Sequence, residues 1–202
     1  KSGFFENEII PVQLASGEMF TKDEGPREGT TMESLGGLRP VFSKTGRITA
    51  GNACPLNDGA AATIIMSDTR ARELGLTPIA KILSTGVSAL TPELMGLGPI
   101  DSTKQALSRA GLTANDIDIL EINEAFAAQV IPSATGIGVD PFGDKLNPHG
   151  GAIALGHPFG MTGVRILATL LNGLKAKDKT IGVETMCVGG GQGMAIVVER
   201  LS

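Results

Sequence analysis

The sequence predicts an α/β layer structure built on a mixed sheet. Three observations carry that expectation. From Ile79 onward, apolar runs of strand length alternate with helix-length segments, the pattern of layered α/β proteins. The chain closes on two apolar runs joined by Gly189-Gly190-Gly191, which makes an antiparallel hairpin and therefore a mixed sheet. Glycine is abundant, 28 of 202 residues, yet it gathers at a few turns without repeating, which argues against collagen-like or linker sequence.

The elements follow in order. Residues 4–13 hold one strand candidate, Glu8 to Val12. Residues 14–46 are polar and turn-rich, with Lys22-Asp23-Glu24-Gly25-Pro26-Arg27, and read as a loop excursion. Residues 59–66 (GAAATIIM) are small and apolar and predict a buried strand. Ser67 or Asp68 then caps a helix that runs to Leu74 and is closed by Gly75. A second unit starts near Thr77-Pro78. It opens with a strand at 79–87 and a helix at 100–111, with Asp101 or Ser102 as cap and Gly111 as stop. A short buried strand from Ile117 to Ile122 leads directly into a helix over Asn123 to Val130. A longer helix spans Gly160 to Lys175, and Lys175, Lys177 and Lys179 near its end form a solvated face that suits the helix dipole. Strands at Lys179 to Met186 and Gly193 to Arg200 finish the chain.

Composition narrows the function classes. Apolar content of 42% with 19% charged residues is that of a soluble globular protein. A net charge of −4 lacks the basic footprint of a nucleic-acid binder. No apolar run is long enough to span a membrane, and no basic start precedes an apolar segment as in a signal peptide. Cys54 and Cys187 make neither a metal pattern nor a disulfide framework. Reduced thiols fit a reducing compartment, and cytoplasmic location is expected. The chain begins Lys-Ser-Gly without Met, as a fragment, a processed product or a trimmed chain would.

Chemistry concentrates in two glycine-rich runs. One is Gly156-His157-Pro158-Phe159-Gly160; the other is Cys187-Val188-Gly189-Gly190-Gly191-Gln192-Gly193. The second is not a dinucleotide loop, because a strand and not a helix follows it. A thiol beside freed backbone N–H groups suits an oxyanion site instead. His157 sits among small and apolar neighbours, so a buried imidazole there needs a partner and titrates near neutrality. His149 lies upstream beside Asn147-Pro148, and no helix presents both rings on one face, so zinc is a poor fit. Asn123, in Asn123-Glu124-Ala125-Phe126-Ala127, reads both as a helix cap and as an amide at the C-terminal end of a strand, where α/β active sites gather. Cys54 reads as a structural residue or a pocket wall.

Taken together, the runs TAGNACPLNDGAAA (49–62), GLGPI (96–100), EINEAFAAQ (121–129), NPHGGAIALGHPFGMTG (147–163) and CVGGGQGMA (187–195) closely resemble the thiolase family, in family order and over essentially the whole chain. The resemblance implies a layered αβαβα fold of two similar βαβαβαββ halves with a loop domain inserted in the first. Residues 78–202 look like the complete C-terminal half. Residues 1–77 look like the end of the loop domain and the last elements of the N-terminal half. The resemblance implies an acyltransferase that cleaves 3-ketoacyl-CoA to acetyl-CoA and a shortened acyl-CoA, as in fatty acid β-oxidation, or runs the reverse Claisen condensation. Its nucleophilic cysteine belongs to an N-terminal part outside these residues, and Cys54 is not its counterpart.

By the same resemblance, His157 accepts the nucleophile's proton, and Cys187 exchanges the α-carbon proton. An ordinary cysteine pKa of about 8.5 serves that exchange in either direction. His157 with a water held by Asn123 stabilises the enolate, and the Gly189 N–H helps hold the other oxyanion. Phe126, Ala125 and Met95 resemble the pantetheine wall. Arg27 lies near the CoA nucleotide, and Cys54 stands where relatives often carry a serine near pantetheine. Coenzyme A is implied as a substrate, with no permanently bound cofactor. The implied partners are CoA, acyl-CoA, the nucleophile-bearing part and further copies in a homodimer or homotetramer. Two other readings are a non-catalytic half-domain that binds CoA or serves as an interaction module, and a ketoacyl-synthase type of condensing enzyme. The presence of His157, Cys187 and Asn123 together disfavours the first, and the cysteine at 187 disfavours the second.

Overall fold

The computed structural model describes residues 2–202. In chain order the elements are β1 (Val12–Gln13), β2 (Met19–Phe20), α1 (Met32–Gly36), α2 (Asp68–Glu73), β3 (Ala80–Ala89), α3 (Gly98–Ala110), β4 (Ile119–Ile122), α4 (Ala127–Ile137), α5 (Ala152–Leu155), α6 (Thr162–Ala176), β5 (Ile181–Val188) and β6 (Gln192–Arg200). Single 3-10 turns lie at Phe4–Asn7, Pro92–Leu97 and Ala114–Asp116.

The terminal hairpin is the centre of the main sheet, whose strand order is β3-β6-β5-β4. β6 pairs antiparallel with both β3 and β5, and β4 pairs parallel with β5, so the sheet is mixed as expected. The hairpin turn needs glycine at Gly191. Its φ is 89°, and a Cβ there would lie 2.2 Å from the Leu90 carbonyl oxygen. The Leu90 N–H donates to the Gly191 carbonyl at 2.8 Å, tying the turn to the end of β3.

Side-chain alternation sends two apolar sets to opposite faces of the sheet. Leu120, Ile122, Val183, Ala195 and Val197 pack against Ala106 and Leu107 of α3 and Val130, Ala134 and Ile137 of α4. Ile119 and Val198 pack against Leu167, Leu170 and Leu174 of α6. Leu170 and Leu174 are fully buried, and each such side chain contributes roughly 1.5–3 kcal/mol. These two helix layers on one sheet hold the C-terminal ends of β4 and β5 in fixed positions.

Several expectations change at this level. The run 59–66 is not a buried strand: Ile64 is 84% and Ile65 68% exposed, and no strand lies beside it among the described residues. A strand-length apolar run stays unpaired where nothing supplies the ladder. Glu8 to Val12 is not a strand either; the two-residue β1 pairs with β2. Glu8 instead accepts hydrogen bonds from Thr169 Oγ1 (2.8 Å) and Asn172 Nδ2 (3.0 Å) and anchors the N-terminal segment on α6. α3 begins at Gly98 with Pro99 in its first turn, so neither Asp101 nor Ser102 caps it. Gly111 ends it in the left-handed region (φ 71°), as the sequence predicts. Ser67 caps α2 through the Arg70 N–H, also as predicted. The third of the five strands implied by a βαβαβαββ half is reduced to one parallel bridge between Leu120 and Leu146.

Candidate active site

β4 and β5 run parallel, so their C-terminal ends bring Asn123 and Cys187 to one edge of the sheet. Ile122 is in register with Thr185, and the Asn123 N–H extends the ladder to the Thr185 carbonyl at 3.0 Å. Cys187, next to last in β5, is half-buried opposite Gly193.

Asn123 does not cap a helix. α4 begins only at Ala127, with Phe126 in the cap position and no side-chain cap. The Ala125 N–H folds back onto the Asn123 carbonyl at 3.1 Å, which separates the strand end from the helix. The Asn123 side chain, 1% exposed, points instead at His157, with Nδ2 3.2 Å from Nε2.

His157 follows α5 and Gly156. Gly156 has φ 92°, and a Cβ there would come 2.5 Å from the Asn57 Oδ1. That oxygen accepts the His157 N–H at 3.3 Å. On the far side of the ring, Nδ1 lies 2.7 Å from the Thr162 hydroxyl at the start of α6. Phe159 covers the imidazole with ring centroids 4.8 Å apart. Burial and, secondarily, the Arg165 guanidinium hold the His157 pKa below its ordinary value, so the ring is neutral at pH 7.

Two further side chains hold this edge together, and the sequence reading missed both roles. Asn147 uses its amide as a substitute strand partner. Its Oδ1 accepts the Ile122 N–H at 2.8 Å, and its Nδ2 donates to the Ile122 carbonyl at 2.9 Å. The same Nδ2 donates to Glu124 Oε1 at 3.0 Å, and Glu124 Oε2 accepts the Ile153 N–H at 3.2 Å. Glu124 thus clamps the Asn123 turn to the helix that leads into His157. The signal for Asn147 is its residue type: Asn tolerates the left-handed region, and its φ is 41°.

The segment 52–54 lies along residues 125–127. The Cys54 N–H donates to the Ala125 carbonyl at 3.0 Å, Ala53 bridges Phe126, and the Ala127 N–H donates to Asn52 at 2.9 Å. Phe126 meets Phe42 edge-on at 6.1 Å. Burial raises the Cys54 thiol above its ordinary pKa. Burial also raises Cys187, with nearby Cys54 acting in the same direction. Both effects favour the protonated thiol of Cys187. Gly189 is exposed two residues beyond Cys187. Met95 is half-buried in a turn held to α4 by Ser133, whose hydroxyl donates to the Gly96 carbonyl at 3.0 Å. Arg27 is exposed in the loop excursion, and no hydrogen bond links its side chain to these residues.

Behind this edge, on the α6 face, Glu121 and Glu184 stand opposite each other in the β4–β5 register. They are 1% and 6% exposed, and burial pushes both carboxyls up to about 8, opposed by Arg165. Glu121 Oε1, Glu184 Oε2 and both terminal nitrogens of Arg165 have no hydrogen-bond partner among the described residues.

Comparison with known proteins agrees with this architecture. The family model "Thiolase, C-terminal domain" matches residues 76–200, and "Thiolase, N-terminal domain" matches residues 1–69. An acetyl-CoA acetyltransferase of Escherichia coli is 50% identical over 100% of this chain and 52% of its own length. A 3-ketoacyl-CoA thiolase of a Marinomonas species is 52% identical over 98% of this chain and 52% of its own length. The crystal structure of human mitochondrial 3-ketoacyl-CoA thiolase in complex with CoA superposes with a TM-score of 0.94 at 40% identity, covering 99% of this chain and 50% of that one. The chain spans about half the length of the relatives it matches. Two family models together covering nearly every residue, the mixed α/β architecture and these identities establish that the chain belongs to the thiolase family.

Proposed function

We propose that this chain supplies the base, the α-carbon acid and the amide that holds an enolate-binding water in a thiolase active site. The nucleophilic cysteine comes from a part outside these residues. The observation that carries the reading is the contact between Asn123 Nδ2 and His157 Nε2, at the sheet edge where β5 delivers Cys187. The names of the relatives and the CoA complex of the human neighbour support an acyl-CoA substrate.

In the cleavage direction, neutral His157 takes the nucleophile's proton as its sulfur bonds to C3 of a 3-ketoacyl-CoA. The C2–C3 bond then breaks, and its electron pair passes into the enolate of acetyl-CoA. Cys187 donates its thiol proton to C2. An incoming CoA thiol returns a proton to Cys187 as its sulfur displaces the acyl group, and His157 returns its proton to the departing enzyme thiolate. Donors pre-set around the enolate oxygen contribute about 3–4 kcal/mol each to such a step. A neutral imidazole and a protonated Cys187 are the resting states this direction requires, and burial favours both.

Phe126, Ala125, Met95 and Cys54 form the pantetheine wall, Arg27 approaches the nucleotide, and the Gly189 N–H assists the acyl oxyanion. Coenzyme A acts as a substrate, the complete enzyme is a homodimer or homotetramer, and its reduced thiols suit the cytoplasm. Assay of the enzyme assembled with its nucleophile-bearing part tests the reading. His157→Ala stops acylation, whereas a non-catalytic CoA-binding module shows no acylation with or without His157.

A further inference from the structure

We infer that Thr162 sets the tautomer of His157, keeping the ring proton on Nδ1 and leaving Nε2 unprotonated, the state in which it acts as the base. This rests on the proposed role of His157, and Thr162 is a positioning residue that acts through it.

The donors around the ring decide the tautomer. Thr162 is fully buried, with its hydroxyl oxygen 2.7 Å from His157 Nδ1 and 2.9 Å from the Pro158 carbonyl oxygen. A hydroxyl has one proton, and a carbonyl only accepts. Donation to Pro158 is the bond from residue i to residue i−4 common for Thr on a helix. It leaves a hydroxyl lone pair facing Nδ1, which then carries the hydrogen. On the other side of the ring, Asn123 Nδ2 lies 3.2 Å from Nε2, and the Nδ1–H tautomer that Thr162 fixes leaves Nε2 able to accept from it. The bonds run in one direction: Asn123 N–H to Nε2, Nδ1–H to Thr162 oxygen, Thr162 O–H to Pro158 oxygen. The reverse tautomer sets an Nε2–H against the Asn123 N–H.

The arrangement differs from one in which a carboxylate orients the imidazole. A hydroxyl fixes the tautomer without adding negative charge, so the ring is oriented while it stays neutral. Free imidazole in water favours the proton on Nε2, the form unable to take a thiol's proton through that atom. Losing the Thr162 oxygen therefore removes working base without removing the ring.

The test is a two-bond 1H–15N spectrum of the 15N-histidine-labelled enzyme, assembled with its nucleophile-bearing part, with His157 assigned by the His157→Asn variant. The expected spectrum has a protonated Nδ1 and an unprotonated Nε2. Thr162→Val moves the ring toward the Nε2–H form and lowers kcat about 10- to 100-fold with KM within about threefold, and Thr162→Ser restores both. An Nε2–H tautomer in the unsubstituted enzyme overturns the inference, as does an unchanged tautomer in Thr162→Val. Should Thr162→Val fail to fold, the unsubstituted spectrum still decides. Full activity of His157→Ala would instead remove the catalytic reading and leave the tautomer result standing.

Discussion

Asn123 Nδ2 lies 3.2 Å from His157 Nε2 across a sequence separation of 34 residues, joining the end of β4 to the loop before α6. The contact gives the imidazole a neutral donor and leaves Asn123 Oδ1 buried without a partner among the described residues. Such a buried acceptor costs about 1–3 kcal/mol unless a bound group or water meets it. Asn123→Ala removes the donor and is expected to lower kcat for thiolysis about 100-fold. Asn123→Asp places a carboxylate against the ring and raises the His157 pKa. Its acidic activity limb should move upward relative to the unsubstituted enzyme, as read in a pH–rate profile.

Burial lowers the His157 pKa and raises that of Cys187. The base works when neutral, so acylation is lost only as pH falls below about 6.5, the ordinary histidine value. The acid works as a thiol, so cleavage persists past about pH 8.5. Condensation needs the Cys187 thiolate, which is scarce until the pH approaches its raised pKa. Single-turnover acylation should be flat between about pH 7 and 8.5, while α-proton exchange of acetyl-CoA climbs across the same interval. Parallel profiles for the two reactions would contradict the assignment.

Glu121 and Glu184 make folding stability depend on pH in a defined sense. Their carboxyls titrate near 8 in the folded protein and near 4.3 when unfolded. Between those values the folded state holds protons that the unfolded chain has released. Their contribution is fully present below about pH 4.3 and is lost as pH rises through about 8. Glu184→Gln keeps the shape and removes the titration. Denaturant unfolding should show a smaller fall in stability from about pH 5 to 8 in the variant than in the parent.

Gly191→Ala strains the hairpin that carries Cys187. The position combines φ 89° with a Cβ that would lie 2.2 Å from a carbonyl oxygen. The conformational strain alone costs about 1–3 kcal/mol, and the backbone clash adds to it. A lower midpoint in chemical denaturation, with reduced α-proton exchange at a temperature where the variant is folded, is the expected outcome.

Local chemistry made much of this fold legible. Gly111 and Ser67 mark helix ends because their roles depend on backbone and neighbouring N–H groups alone. The closing hairpin follows from three glycines between apolar runs. The run 59–66 has strand composition, but a strand needs a neighbouring strand, a property of the assembly and not of the segment. Asn123 is ambiguous by type, since amides both cap helices and bind ligands. Its true partner lies on another element, beyond the reach of local pattern. Thr162 and Glu124 carry no local signal: a threonine opening a helix and an acid after an asparagine are ordinary. The family resemblance pointed to His157 and Cys187, and the geometry added the side chains that hold them in place.

In the proposed reaction Cys187 exchanges the α-carbon proton while His157 serves the nucleophile. The most direct measurement compares Cys187→Ala with the parent enzyme, assembled with its nucleophile-bearing part. Deuterium incorporation into acetyl-CoA in D2O and acetylation of the nucleophile are followed on the same sample. Acetylation is expected to persist while deuterium incorporation stops. Incorporation at the parent rate would contradict the role of Cys187.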